Sequence, residues 1–192
     1  MKTKRVIPAL RPLLPIGCGI LASCATPGET DRQQVAFRSD TSLPGIVHRD
    51  VNQHRSRQGL PTLQRHGGLD RLAQKHAEYL RQHRGTFSLH GKNVSHHGSE
   101  SRAMVAIHRL EMISYAENVA WAESQPNDAA ASRALITLWR NSPDHRDAMQ
   151  NKHWSHTGIG VVRDADGSVF ATQVFATKSL SHMAMRDRFN QF

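Results

Sequence analysis

The chain has 192 residues, 38% of them hydrophobic and 21% charged, which suits one domain with a single core and little more. Its formal net charge of +9 includes Lys2, Lys4, Arg5 and Arg11, which precede every acidic residue; without them 21 bases face 16 acids. No arginine-rich run, interleaved aromatics or zinc-finger spacing accompanies this modest excess, so the charge reads as a solvated surface and nucleic acid is excluded as an expected partner.

Residues 1–23 have the parts of a secretory signal: a basic start, an apolar stretch of ten residues from Leu13 to Ala22, and small residues before Cys24. A bilayer span needs about 20 apolar residues, so this stretch is too short. Leu21-Ala22-Ser23-Cys24 resembles the lipobox of bacterial lipoproteins, whose cysteine becomes the N-terminus and carries lipid. That resemblance implies a membrane anchor at Cys24. Ala25 follows the cysteine instead of an inner-membrane-retaining aspartate, which implies an outer-membrane protein facing the periplasm if the cell is Gram-negative. Cys18 and Cys24 are the only cysteines, so the folded part is expected to stand without disulfides. Residues 24–44 are polar, carry Pro27, Gly28 and Pro44, and read as a lipidated tether.

Beyond the tether the apolar positions repeat with a helical period. Ile46, Val47 and Val51 form a short stripe that stops at Gly59. Leu69, Leu72, Ala73, His76, Ala77 and Leu80 form a stronger one, with His76 expected in the core and not as a ligand. Residues 84–98 are rich in Gly and His and read as a loop, and a further helix is expected at about 100–110. Asn127 is a good N-cap for a helix reaching Trp139, and Ser142-Pro143-Asp144 opens another, with Ser as N-cap and Pro in the first turn. Residues 158–163 and 168–176 are β-rich and joined by Asp164-Ala165-Asp166-Gly167, a hairpin signal. Residues 179–192 form a polar tail. Helices followed by a late hairpin predict an α+β domain over residues 45–178.

Four ordered stretches resemble bacterial members of the CAP/SCP superfamily of secretory proteins. Val51-Asn52-Gln53-His54-Arg55 with Gly59-Leu60-Pro61 is similar to the opening helix. Ser95-His96-His97-Gly98, with Arg102 behind it, is similar to the histidine loop. Ala116-Glu117-Asn118-Val119-Ala120 is similar to a Gly-Glu-Asn motif with Ala in place of Gly. Trp139 through Ser142-Pro143-Asp144-His145-Arg146 to Gly158-Ile159-Gly160-Val161, closed by Thr172-Gln173-Val174-Phe175, is similar to the last block. The resemblance covers residues 46–176. It implies an α-β-α sandwich with a central antiparallel sheet and a cleft formed by His96, Glu117, Ser142 and His145.

Two imidazoles and a carboxylate have the donor chemistry for Zn or a similar divalent cation, so His96, Glu117 and His145 are candidate ligands; a metal-free, hydrogen-bonded polar cluster is the equal alternative. His97 and His90 are substitutes for His96. Asn52 and Arg55 are expected to make buried structural hydrogen bonds, and Trp139 and Trp154 to wall the core or a groove. Ser142 lacks a nucleophile elbow, so a serine hydrolase is not expected. The reading is a monomeric, non-enzymatic envelope module whose cleft takes a lipid- or sterol-like molecule or an envelope protein. A metal-dependent hydrolase using His96, Glu117 and His145, and an effector or adhesin with an inert cleft, are the alternatives. Binding that depends on neutral imidazoles is expected to weaken between about pH 7 and 5.

Overall fold

The computed structural model of the protein describes residues 40–87 and 94–178, within the unit Ser39–Phe192. The leader, Cys18 and Cys24, the tether as far as residue 39, His90 and the tail 179–192 lie outside the described residues. No helix of the described part is long and apolar enough to cross a membrane.

Helix α1 spans Leu43–Arg57, two residues ahead of the boundary drawn from the sequence. Pro44, read as tether, is a first-turn proline, where its fixed φ helps and its missing N–H is not needed. Ser42 caps the helix by accepting from the Gly45 N–H. At the other end Gly59 takes φ +69°, and the Gly59 and Leu60 N–H groups donate back to Ser56 and Arg55, a complete Schellman closure. Arg55 and Asn52 then fasten α1 to the rest. Asn52 exchanges two hydrogen bonds with the main chain of Leu63, at 2.8 and 3.0 Å. Arg55 is wholly buried, donating to the carbonyls of Pro61, Met149 and Asn151. Both are structural hydrogen-bonders, as the sequence suggested.

Strand β1 is only Gln64–Arg65 and pairs parallel with β3, His156–Arg163. Helix α2, Gly67–Gln82, buries Leu69, Ala73, His76, Ala77 and Leu80 on its predicted face; burying each leucine contributes roughly 1.5–3 kcal/mol. Helix α3 spans Ser99–Leu110, and Glu111 in the left-handed region turns the chain straight into β2, Met112–Ala122. Helix α4, Asp128–Asn141, starts at the expected cap, with Asn127 Oδ1 accepting from the Ala130 N–H at 2.9 Å. Helix α5, Pro143–Gln150, follows at once. Strand β4, Val169–Lys178, completes the expected hairpin with β3.

The sheet order is β1-β3-β4-β2, antiparallel except for the short β1–β3 pair. Helices α1, α4 and α5 pack on one face around Trp139, Leu135 and Phe175; α2 and α3 pack on the other around Leu69, Val174 and Met112. This is a layered α-β-α domain. Strand β2 was not foreseen, because Glu117 and Asn118 break any apolar alternation along it.

Gly158 and Gly160 explain why α2 lies so close to β3. A Cβ on Gly158 would fall within the main chain of Leu69 and Asp70, and one on Gly160 within that of Ala73 and Gln74. Backbone therefore meets backbone. The approach lets Asp70 accept from the Ile159 N–H and Gln74 from the Val161 N–H, satisfying strand donors beyond the reach of β1.

Candidate functional site

Glu117 organises the site. It points from β2 toward α3, and its side chain is 2% exposed. All four carboxylate acceptor positions are engaged. Oε1 accepts from His96 Nδ1 at 2.9 Å and Arg102 Nη2 at 2.6 Å; Oε2 accepts from Arg102 Nε at 2.9 Å and Tyr115 Oη at 2.5 Å. Burial alone would raise the pKa of Glu117, but the bonds from His96, Arg102 and Tyr115, with the Arg102 charge, hold it at about 2. Burial and the carboxylate together push the Tyr115 phenol well above its ordinary value.

A carboxylate can only accept, so His96 donates through Nδ1 and its Nε2 is directed away from Glu117. Its loop is fastened from both sides. His76 Nε2 donates to the Ser95 carbonyl at 2.8 Å, and Arg102 Nη1 donates to the His97 carbonyl at 2.9 Å. His76 is 2% exposed, in the core as expected, and burial lowers its pKa. His97, the substitute for His96, turns instead to Tyr79, with ring centroids 5.5 Å apart and nearly parallel.

His145 arrives from the opposite side of the sheet. Asn118, the neighbour of Glu117 on β2, faces the other layer and donates Nδ2–H to the His145 carbonyl at 2.9 Å. That bond seats the start of α5 against β2. The imidazoles of His96 and His145 meet around the strand edge with centroids 6.3 Å apart and planes tilted by 54°. Ser142 holds the N-cap position of α5 through its main chain, but its hydroxyl makes no capping bond, contrary to the sequence reading. Ser142 lines a groove instead.

That groove has a volume of about 850 Å³ and runs from Ser142 and His145 along β2, with α4 as its second wall. Ala120 and Ala122 on β2 and Ala130 and Ala134 on α4 leave the room; Trp121 and Leu138 flank it.

Arg102 and Tyr115 were not assigned roles from the sequence. The signal for Arg102 was available, since a carboxylate buried in a motif demands a cation, and Arg102 trails the histidine loop by a helical turn. Nothing comparable marks Tyr115. Among the described residues no group of three or more His, Cys, Asp or Glu is arranged to hold a metal.

A layered α-β-α domain with two histidines meeting across a sheet edge, beside a buried glutamate, defines the class. The sequence model of the cysteine-rich secretory protein (CAP) family matches residues 48–175, and the chain belongs to that family. Among solved structures it resembles an outer surface protein of Borrelia burgdorferi, with TM-score 0.54 and 18% identity over 70% of this chain and 91% of that one. It also resembles a cysteine-rich secretory protein of Staphylococcus aureus, with TM-score 0.51 and 21% identity over 71% of this chain and 39% of that one. An extracellular SCP-domain protein of Bacillus anthracis gives TM-score 0.51 and 21% identity over 71% of this chain and 40% of that one. The likeness thus spans about two-fifths of the last two proteins. No curated protein sequence matches.

The ionisation pattern makes acid stability a direct check. Glu117 falls from an ordinary 4.5 to about 2 on folding, so its contribution, roughly 3 kcal/mol, is complete above pH 4.5 and is lost as pH falls toward 2. Burial lowers His54, His66, His76 and His156 below 6.5, so their contribution is complete above pH 6.5 and is lost as pH falls through their folded values. Thermal melts are expected to shift downward in two stages, below pH 6.5 and again below 4.5. A melting temperature unchanged from pH 7.5 to 3 would contradict this assignment.

Proposed function

We propose that this CAP protein is exported, anchored to a membrane through lipidated Cys24, and serves as a non-enzymatic envelope module that binds an apolar or amphipathic ligand, or a segment of an envelope protein. The observation that carries the reading is the continuity between the two-histidine cleft and an apolar groove: His145, whose ring meets that of His96, also lines the groove. Ligand pockets combine an apolar lining with a few convergent polar groups, which is the composition here. The outer-surface and extracellular relatives support export, and in a Gram-negative cell the anchor would face the periplasm.

Hydrolysis with Glu117 as general base is disfavoured by its bonding. A carboxylate with a pKa of about 2 and every acceptor position engaged has little basicity to offer near neutrality. The same geometry favours a second, limited reading for cations. A zinc-like ion would be held by His96 Nε2 and by His145, with Glu117 behind His96 as the outer carboxylate that fixes its tautomer.

Native mass spectrometry of residues 25–192, which retain every described residue, tests the module. Palmitate or a blocked valine–alanine peptide is expected to be retained by this chain and displaced in Ala134→Trp, which fills the groove. Zinc retained at pH 7.5 is expected to be lost in both His96→Ala and His145→Ala. Retention of neither apolar probe would remove the binding role. For the anchor, Cys24→Ala is expected to abolish fatty-acid labelling and release the full chain from membranes; persistent labelling would refute it.

A further inference from the structure

We infer that the outer edge of β2 is a strand-addition site for an extended peptide, an inference that rests on the binding role of the groove and narrows its ligand. The main-chain geometry follows from the sheet. Ser155 N–H donates to Ala176 and Asp164 N–H to Ser168, so the even-numbered residues of β4 turn their N–H and C=O groups toward β3. The odd-numbered ones turn toward β2. Their partners Ala116, Asn118, Ala120 and Ala122 are therefore bonded to β4, and Glu117, Val119 and Trp121 turn their main chain outward. Among the described residues β2 is the last strand of the sheet on this side.

The groove coincides with that edge. Val119 through Glu123 line it consecutively, and successive side chains of a strand point to opposite faces. A cavity touched by both sets lies at the edge and not on a face. Among the described residues no hydrogen bond outside the ladder reaches the main chain of Val119 or Trp121.

The opposite side of the sheet is treated differently. There Asp70 and Gln74 of α2 take up the outward N–H groups of Ile159 and Val161. Proteins commonly protect a bare edge with lysine, proline, a bulge or an inward charge; β2 has its bulge at Met112–Ser114 and its charge at Glu117, and Val119–Ala122 has none of these. An edge whose outward main chain is unbonded among the described residues, lying along a groove, is the arrangement used for β-strand addition, where main-chain bonds give affinity and alternate side chains give selectivity.

The occupant follows from the same features. A purely aliphatic chain would cover the edge donors and acceptors without bonding them, at a cost, whereas a peptide bonds them. Four strand residues and Glu123 after them span about 15 Å, room for a segment of four or five residues. Its side chains would point alternately toward Ala130 and Ala134 on α4 and toward Val94 and Trp121 on the other side, which favours small aliphatic residues. One acid and one arginine, Glu123 and Arg133, line the groove, so an uncharged segment is balanced there.

The test uses residues 25–192 with three probes: a blocked peptide of alternating valine and alanine, its analogue N-methylated at alternate amides, and palmitate. The unmodified peptide is expected to bind at least about tenfold more tightly than the N-methylated one, which has the same side chains but lacks donors. By amide hydrogen exchange it should protect Val119 and Trp121 and leave Asn118 and Ala120, already in the ladder, unchanged. Equal affinity of the two peptides, or binding without protection at Val119 and Trp121, would overturn strand addition. Palmitate bound with no peptide bound would overturn it while leaving the binding module intact; no probe bound would overturn both.

Discussion

Arg102→Ala is expected to destabilise the domain by about 3–5 kcal/mol and to take the cleft apart. Arg102 supplies two of the four hydrogen bonds to a carboxylate that is 2% exposed, and its own side chain is only 13% exposed. Removing it leaves Glu117 desolvated with His96 and Tyr115 alone. The carboxyl would then take up a proton far more readily than its value of about 2 allows now, and His96 would lose its fixed orientation. Arg102 also holds the His97 carbonyl, so the histidine loop loses a second support. Urea denaturation at pH 7.5 measures the loss. The difference from the unmodified chain should narrow as pH falls from 4.5 toward 2, where the unmodified chain loses the ion pair too. Arg102→Met combined with Glu117→Leu should recover much of the stability while leaving the cleft without its acid. A loss below about 1 kcal/mol, as exposed pairs give, would mean that this ion pair does not support the domain.

Gly160→Ala tests the packing of α2 on β3 and should cost more than about 4 kcal/mol, beyond the usual range for one methyl group. The added carbon would overlap the main chain of Ala73 and Gln74, and a helix backbone cannot rotate aside as a side chain can. Relief requires α2 to retreat, which would also break the bonds from Ile159 to Asp70 and from Val161 to Gln74. Gly59→Ala is the comparison: nothing lies within 4 Å of a Cβ there, and only the left-handed backbone is strained, at about 1–2 kcal/mol. Similar melting temperatures for the two variants would show that α2 can shift without penalty.

Features that depend on near neighbours in the chain could be read before the fold was known. The apolar stripe of α2 from Leu69 to Leu80, the Asn127 cap, the Gly59 stop and the turn at Asp164–Gly167 each rest on a few adjacent residues. The ordered motifs brought His96, Glu117 and His145 into one group, and the fold places the two imidazoles 6.3 Å apart. The Ser142 hydroxyl shows the limit of such local rules, since its residue type fitted a cap bond that the helix does not make.

The amino-acid sequence by itself determined the family, the helices and the late hairpin, because periodicity, capping and turn chemistry are local. Tertiary structure decided the rest. Strand β2 has no alternation to announce it, and it forms because β4 offers a ladder along its whole length. Glu117 is engaged by Arg102 from 15 residues away and by His96 from 21, and only their convergence in a desolvated layer holds its pKa at about 2. The cleft exists because Glu117 and Asn118, adjacent in sequence, face opposite sides of a strand and so draw His96 and His145 to one edge from two different layers.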